Sequence, residues 1–240
     1  MLSPEETRRY ARHLVLRGIG GEGQQKLKAA RVLVIGAGGL GSPVIAYLAA
    51  AGVGAIGIAD DDAVSLSNLQ RQIIHTTADD GVLKAESAAA FVGALNPHVS
   101  VETIALRVST ENAAGIVEGF DLVVDGSDTF DTRAVVATAA AAAGKPLVSG
   151  AVSMFDGQIT VFVPGGPQFR DLYPDTPDAE DLPACEVVGV LGAVTGVIGT
   201  LMAMEAIKLI AGLGEPLVGR LLLYDGRAAR FTELDYGVPD

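Results

Sequence analysis

Apolar runs and helix-like segments alternate along the first 150 residues of the chain. Five apolar runs have the length of short buried strands: Val32 to Ile35, then AIGIAD, VSVETIA, FDLVVDGSD and KPLVSGA. Between them lie segments of helical composition, among them SPVIAYLAAAG, VLKAESAAAFVGALNP and TRAVVATAAAAAG. This alternation has the spacing of βαβ units, so it predicts an α/β fold with a doubly wound, mostly parallel, Rossmann-like sheet.

The pattern changes after Gly150. The runs GQITVFV and GRLLLYDGRAARFTEL predict antiparallel strands, the second being a hairpin that turns near Asp225 and Gly226. Between them, PGGPQFRDLYPDTPDAEDLPACE is rich in proline and acidic residues, which predicts a long loop. Near the N-terminus, Ser3 and Glu6 have the spacing of a capping box, which predicts the start of a helix.

One apolar stretch has almost the length of a membrane span. It runs over 18 uncharged residues from Val187 to Met204, and the charged Glu205 follows at once. In an α/β chain we interpret it as a long buried helix of the C-terminal part rather than as a span. Its glycines, Gly192 and Gly196 among them, predict close packing against a neighbour, which includes a second subunit.

Composition and charge limit the class of protein. The chain has 240 residues, of which 49% are hydrophobic, enough for one large domain. Its 17 basic and 29 acidic residues give a net charge of −12, which argues against nucleic acid or an anionic membrane as the main partner. Cys185 is the single cysteine, so one chain contains no disulfide. The polar start MLSPEETRRY lacks the apolar core of a signal peptide, and together these features predict a cytoplasmic protein.

A glycine-rich turn follows the first strand. Gly36, Gly38 and Gly41 form a GxGxxG motif that opens a helix, where backbone N–H groups and the helix dipole can bind a phosphate. Asp60 ends the next strand, at the place where a carboxylate accepts hydrogen bonds from ribose hydroxyls. The alternative is a purely structural glycine turn. The motif alone would indicate NAD.

The segment SNLQRQ lies shortly after Asp60. We expect Ser67 to cap a short helix that places Asn68 and Arg71 on one face, although a solvated polar helix would have the same sequence. Lys84 falls in the first turn of a following helix, where a cation opposes the helix dipole. A cation in that place indicates a negative ligand, unless its stem simply extends to solvent.

Asp128 lies just beyond the fourth strand, at the edge where doubly wound sheets bind ligands. Its carboxylate could hold Mg²⁺ or could cap the helix that follows. A glycine cradle, a ribose carboxylate, two cations and a metal carboxylate are together equipment for chemistry on a triphosphate.

These motifs resemble the MoeB/ThiF/HesA family of ubiquitin-activating-enzyme-like adenylyltransferases over nearly the whole chain. The resemblance rests on RYARHLVLRGIGGEGQQKL, RVLVIGAGGLGSPVIAYLAAAGVG, DDDAVSLSNLQRQIIH, PLVSGAVSMFDGQITVF and CEVVGVLGAVTGVIGTLMAMEAIKL. It implies that the C-terminal Gly-Gly carboxylate of a small ubiquitin-like sulfur-carrier protein attacks the α-phosphate of ATP. The products would be an acyl-adenylate and pyrophosphate, for molybdopterin or thiamine synthesis.

The resemblance also implies roles for individual residues. Glycines would line the phosphates, Asp60 the ribose, four polar residues the triphosphate, and Asp128 the Mg²⁺. Arg12 would reach the active site of the partner subunit in a homodimer, and Cys185 matches a cysteine that some members use for a covalent sulfur-linked intermediate. The glycines and the triphosphate residues are Gly38, Gly39, Gly41, Asn68, Arg71, Gln72 and Lys84.

Two departures from the family pattern change these expectations. Gln168 and Asp171 stand where a first pair of zinc-binding cysteines would be, and the chain stops after VPD, before the place of the second pair; no zinc is expected. Thr129 stands where the family usually has asparagine, which affects the metal or carrier contacts expected there.

The expected organisation is a single adenylation domain over residues 1–240. An N-terminal helical arm would cover 1–30 and a nucleotide-binding core 31–150. The remaining 151–240 would bind the carrier and a second subunit and would include a crossover loop near 165–187, a cover for the labile adenylate. Three alternatives remain: an NAD-dependent oxidoreductase, a non-catalytic carrier-binding paralogue, or the same chemistry on another carboxylate or on a modified tRNA base.

Overall fold

One mixed sheet forms the centre of the molecule. The computed structural model describes residues 1–174 and 189–237, and the strands of that part are ordered β3-β2-β1-β4-β5-β6-β7-β8. Pairing is parallel from β3 to β5 and antiparallel from β5 to β8, as predicted. The strands are β1 Arg31–Ile35, β2 Ala55–Ala59, β3 Ser100–Ile104, β4 Leu122–Asp125, β5 Leu147–Ser153, β6 Asp156–Phe162, β7 Arg220–Asp225 and β8 Arg230–Asp235.

Helices cover both faces of the sheet. Along β1, Val32 and Val34 pack into one apolar cluster with α3, α4, α5 and α9, whereas Leu33 and Ile35 pack into the other with α6, α7 and α8. A parallel strand buried on both faces is apolar throughout, which is why the run is continuous. The helices are α1 Pro4–Arg9, α2 Ala11–Leu14, α3 Gly20–Ala29, α4 Gly41–Ala51, α5 Lys84–Leu95, α6 Ala113–Glu118, α7 Phe130–Ala142, α8 Phe169–Leu172 and α9 Gly192–Ala211.

The long apolar helix α9 packs against the sheet and α4. Its length and mean hydropathy of 1.6 would suit a membrane span, yet Ile198 and Met202 are fully buried in the main apolar cluster. A side chain at Gly199 would clash with Pro43, at 2.4 Å, whereas one at Gly196 would point into open space. The interpretation as a buried core helix is therefore confirmed, and the small residues serve packing within the chain at Gly199.

The strand order reverses next to β1, whose neighbours are β2 on one side and β4 on the other. Such a switch point leaves a crevice beyond the carboxyl ends of the strands, where ligands bind in open α/β sheets. The turn after β1, the acidic run after β2 and the segment after β4 all begin at this crevice.

The predicted capping box fixes the N-terminal helix to the body of the protein. Glu6 accepts hydrogen bonds from the Ser3 N–H and from Lys28 Nζ, both at 2.7 Å, and it is 4% exposed. The Lys28 hydrogen bond, followed by the Ser3 backbone bond, lowers the pKa of Glu6 from 4.5 to about 2.

We expect Glu6→Gln to reduce the free energy of unfolding at pH 7 by about 1 kcal/mol, the scale of one lost charge-assisted bond beside a partly exposed lysine. Because the folded-state pKa is depressed, the stabilisation is present above pH 4.5 and is lost as the pH falls towards 2. The difference between variant and wild type should therefore shrink over that window in denaturant titrations. Glu22→Gln, at an exposed pair with Lys26, is the control and should change little.

Candidate functional site

A cavity of about 400 Å³ lies at the switch point of the sheet. The glycine-rich turn forms one wall, and the segments after β2 and β4 form the others. Among the described residues, its charged lining consists of four cations and four carboxylates: Arg71, Lys84, Arg107, Arg133, Asp60, Asp61, Asp62 and Asp128. This described part of the lining is close to neutral in a chain of net charge −12, so it repels a polyphosphate less than the surface as a whole does.

The three motif glycines have different tasks. Gly36 begins the turn with φ +86°, a conformation that residues with a side chain rarely adopt. Gly38 and Gly39 line the cavity. Gly41, which we had expected beside the phosphates, is not among the described residues that line it. A Cβ at Gly41 would lie 1.9 Å from the carbonyl oxygen of Gly36, so this glycine allows close contact between the helix start and the strand end.

Asp60 lies at the end of β2 and holds the glycine-rich turn. Its Oδ2 accepts the N–H of Ala37 at 2.7 Å and its Oδ1 accepts the N–H of Asp62 at 2.9 Å. Burial raises the pKa of Asp60, an effect that the Ala37 bond and the nearby Lys84 ammonium partly offset. Each carboxylate oxygen keeps a second lone pair, so both can also accept a ligand hydroxyl.

The SNLQRQ segment packs against the same turn. Residues Leu66–Asn68 form a 3₁₀ helix whose cap position is Ser65, so the expected cap at Ser67 was wrong; Ser67 lies inside the short helix. Asn68 and Arg71 do share one face, since Arg71 Nη2 donates to Asn68 Oδ1 at 3.1 Å. No ion pair from the described residues neutralises the Arg71 guanidinium, which leaves a positive charge facing the cavity.

Gln72 is 3% exposed and lies at the cavity wall. Its Oε1 has no hydrogen-bond partner among the described residues. A Cβ on Gly38 would lie 3.5 Å from its Nε2, so the amide abuts the glycine-rich turn. A buried amide oxygen without a partner is costly, and a ligand in the cavity could satisfy it.

Lys84 is the first residue of α5 and is almost fully buried. Its Nζ donates to Asp62 Oδ2 at 2.7 Å, and its backbone N–H donates to the Asp62 carbonyl at 2.9 Å. Sequence reasoning took a cation at this helix start as a sign of a negative ligand. Asp62 already supplies a negative partner, so the position of Lys84 alone does not require one.

Asp128 lies at the cavity rim and is exposed. No hydrogen bond or ion pair from the described residues reaches its carboxylate. The alternative role, a cap of α7, belongs to Thr129 instead, whose Oγ1 accepts the N–H of Thr132 at 3.3 Å. Thr129 thus performs the capping that asparagine, also a good N-cap residue, could perform at this position.

Sequence reasoning did not find two cavity arginines, Arg107 and Arg133. Arg133 Nη2 donates to the Ser127 carbonyl at 3.2 Å, and its charge is felt by Asp125 at the end of β4. Asp125 is fully buried, and burial raises its pKa. The sequence does contain a signal for Arg133: it lies one helical turn after the Thr129 cap, which places it near the end of the helix that faces the cavity.

Other predicted residues lie outside the cavity. Arg12 is exposed on α2 and does not line it. Cys185 falls outside the described residues, as does most of the crossover loop expected near 165–187. The described first part of that loop contains the short helix α8. Gln168 and Asp171 are bonded to each other, since the Gln168 N–H donates to Asp171 Oδ2 at 2.6 Å. The side chain of Gln168 is also bonded, because its Nε2 donates to the Gly166 carbonyl at 2.7 Å.

Known proteins share this sequence and this fold. The ThiF family model matches residues 10–238. The "SAMP-activating enzyme E1" of Haloferax volcanii is 49% identical over 95% of this chain and 84% of its own length. The "Sulfur carrier protein adenylyltransferase" of Thermus thermophilus is 49% identical over 96% and 87%.

Longer proteins are related as well. The "Probable adenylyltransferase/sulfurtransferase MoeZ" of Mycobacterium tuberculosis is 51% identical over 93% of this chain, which spans 58% of that protein. Among solved structures, E. coli MccB with ATP superposes with a TM-score of 0.84 at 24% identity, over 95% of this chain and 71% of that one, a likeness of fold. The chain belongs to the ThiF family.

Proposed function

We propose that this protein activates the C-terminal carboxylate of a small ubiquitin-like sulfur-carrier protein by transferring AMP to it from ATP. The observation that carries the proposal is the convergence of the glycine-rich turn, the unneutralised Arg71 guanidinium and the open Asp128 carboxylate on one cavity. The family and the names of its members give the reaction class. They do not separate molybdopterin synthesis from thiamine synthesis.

The reaction is a displacement at the α-phosphorus of ATP. An oxygen of the carrier carboxylate forms the new bond to phosphorus, and the bond to the bridging oxygen of pyrophosphate breaks. Pyrophosphate leaves with the electron pair, so the step needs no external proton. Positioning and charge stabilisation therefore carry the catalysis, as is general for phosphoryl and nucleotidyl transfer.

The proposed roles follow the cavity walls. The backbone of Gly38 and Gly39 approaches the phosphates, and Asp60 accepts the ribose hydroxyls. The polar residues that contact the triphosphate as charge moves onto pyrophosphate are Asn68, Arg71, Gln72 and Lys84.

Asp128 is the proposed Mg²⁺ ligand. A carboxylate that no described residue engages is a hard oxygen donor of the type that Mg²⁺ prefers. When bound, the metal would neutralise phosphate charge. Asp125 is fully buried and therefore cannot reach a metal in the cavity, whereas Asp128 lines the cavity and is exposed.

The remaining proposals concern assembly. We infer that residues 1–30 form an arm that brings Arg12 to the cavity of a second subunit, and that 151–240 binds the carrier. Cys185 is a candidate for a covalent intermediate. No zinc is proposed, because Gln168 and Asp171 offer poorer ligands than cysteines and are engaged in a capping box.

The test is ATP–pyrophosphate exchange with each small Gly-Gly-tailed carrier encoded in the same genome. Exchange is expected with at least one carrier and only when it is present. The same carrier without its final glycine is the control and should support none. Absence of exchange with every carrier would refute the proposal.

Nucleotide titration separates the oxidoreductase alternative. The proposal expects Mg-ATP to bind with a clear preference over NAD(H), because the cavity cations suit a triphosphate. Tighter binding of NAD(H) would instead favour hydride transfer.

A further inference from the structure

One residue of the glycine-rich turn has both its N–H and its carbonyl held by side chains. It is Ala37, which is fully buried between Gly36 and Gly38. Its N–H donates to Asp60 Oδ2 at 2.7 Å, and its carbonyl lies 2.9 Å from Nε2 of His75. Backbone bonds hold the turn on either side of this residue, from the Gly36 N–H to the Ala59 carbonyl at 2.8 Å and from the Ser42 N–H to the Gly38 carbonyl at 2.9 Å. The two side chains, from different segments, fix the main chain between these bonds.

The hydrogen bonds assign the tautomer of His75. A carbonyl oxygen can only accept, so Nε2 carries the proton and donates to Ala37. The other ring nitrogen, Nδ1, then accepts from the Ser87 hydroxyl at 2.7 Å. His75 and Ser87 are 5% and 4% exposed, and burial lowers the pKa of His75, which favours this neutral ring.

This contact joins three parts of the site. His75 follows Arg71 and Gln72 in the same segment, whose members line the cavity while His75 itself does not. Ser87 lies on α5, three residues after Lys84. The ring thus links the glycine-rich turn to the segment and the helix that carry the cations.

We propose that His75 is a positioning residue for the nucleotide. By holding the Ala37 carbonyl, its Nε2–H keeps the backbone of Gly38 and Gly39 at the distance from Arg71 and Lys84 that a triphosphate requires. The inference rests on the proposed adenylation.

Two substitutions separate the two hydrogen bonds of the ring. The amide nitrogen of His75→Gln falls near the position of Nε2 and can still donate to Ala37, but the Nδ1 acceptor is gone. The amide oxygen of His75→Asn falls near Nδ1 and can still accept from Ser87, but no donor reaches Ala37. Both variants are neutral and polar, so they form a matched pair.

We expect His75→Asn to raise the KM for ATP about fivefold to tenfold, the scale of one lost hydrogen bond to a buried carbonyl, with a smaller change in kcat. His75→Gln should stay within about twofold of wild type, because one neutral donor replaces another. Exchange rates over an ATP series supply both constants, and the unfolding midpoint of each variant reports stability.

Equal KM values for the two variants, or a loss that tracks the unfolding midpoint in both, would overturn the inference while wild-type exchange upholds the proposed function. A wild-type chain without exchange would overturn both. If His75→Asn does not fold, His75→Met replaces it, because methionine has nearly the length of glutamine but no donor for the Ala37 carbonyl: a KM for ATP raised above that of His75→Gln supports the inference, and equal values contradict it.

Discussion

Replacing Arg71 by alanine should lower kcat/KM for carrier-dependent exchange by about 10²–10³-fold, the usual effect of losing one preorganised donor at a site of developing charge. Its guanidinium carries a charge that no described ion pair neutralises, and it lies beside the glycine-rich turn, where a Cβ on Gly39 would be 3.5 Å from its Cγ. As negative charge moves onto pyrophosphate, a fixed cation here gains interaction energy in the transition state.

Folding should be little affected by Arg71→Ala. The side chain is only partly buried, and its hydrogen bonds are local, to Asn68 and, at 3.5 Å, to the Ser67 carbonyl. The unfolding midpoint is therefore expected near that of wild type.

Arg71→Lys distinguishes charge from geometry. Lysine keeps the charge but lacks the planar fork that can bond two oxygens at once, so activity should recover only in part. Arg230→Ala, on the exposed strand β8, is the control for loss of a positive charge. Similar exchange rates for Arg71→Ala and Arg230→Ala would exclude Arg71 from the reaction.

The sequence predicted the elements of the site well because each has a local signal. The glycine motif of Gly36, Gly38 and Gly41 stands between a buried strand and a helix, so it places a turn at the sheet edge. Asp60 directly follows β2 and Asp128 comes three residues after the end of β4, and the carboxyl ends of parallel strands meet at one edge of the sheet. Periodicity and turn chemistry suffice for such features.

Tertiary contacts had no such signal. The pairing of Asp62 with Lys84 depends on how the start of α5 packs against the segment after β2. The bond between His75 and Ala37 joins residues that are 38 positions apart in the chain. Helix α6, only six residues long, also escaped detection because a short helix has too few turns to show a 3.6-residue period. The glycine motif shows the same limit of sequence-based prediction. Its pattern does not distinguish Gly38, which lines the cavity, from Gly41, which allows close packing of the backbone.

The second large effect is expected at Asp128. Asp128→Asn should lower exchange at ordinary Mg²⁺ levels by about 100-fold, because loss of the proposed metal carboxylate would remove several kcal/mol of charge stabilisation. Asparagine has nearly the same shape, and no hydrogen bond from the described residues depends on the carboxylate. The loss should therefore appear without a change in stability.

The dependence of the exchange rate on Mg²⁺ concentration tests the metal role more directly than the rate at one concentration. A weakened ligand set needs more metal, so the Mg²⁺ concentration for half-maximal rate should rise about tenfold or more, with part of the activity recovered at high Mg²⁺. Asp131→Asn is the matched control: it removes a carboxylate that is also exposed, from the first turn of α7, outside the described cavity lining. If the two variants show the same dependence on Mg²⁺, the effect belongs to the charge of the helix start, and Asp128 is not the metal ligand.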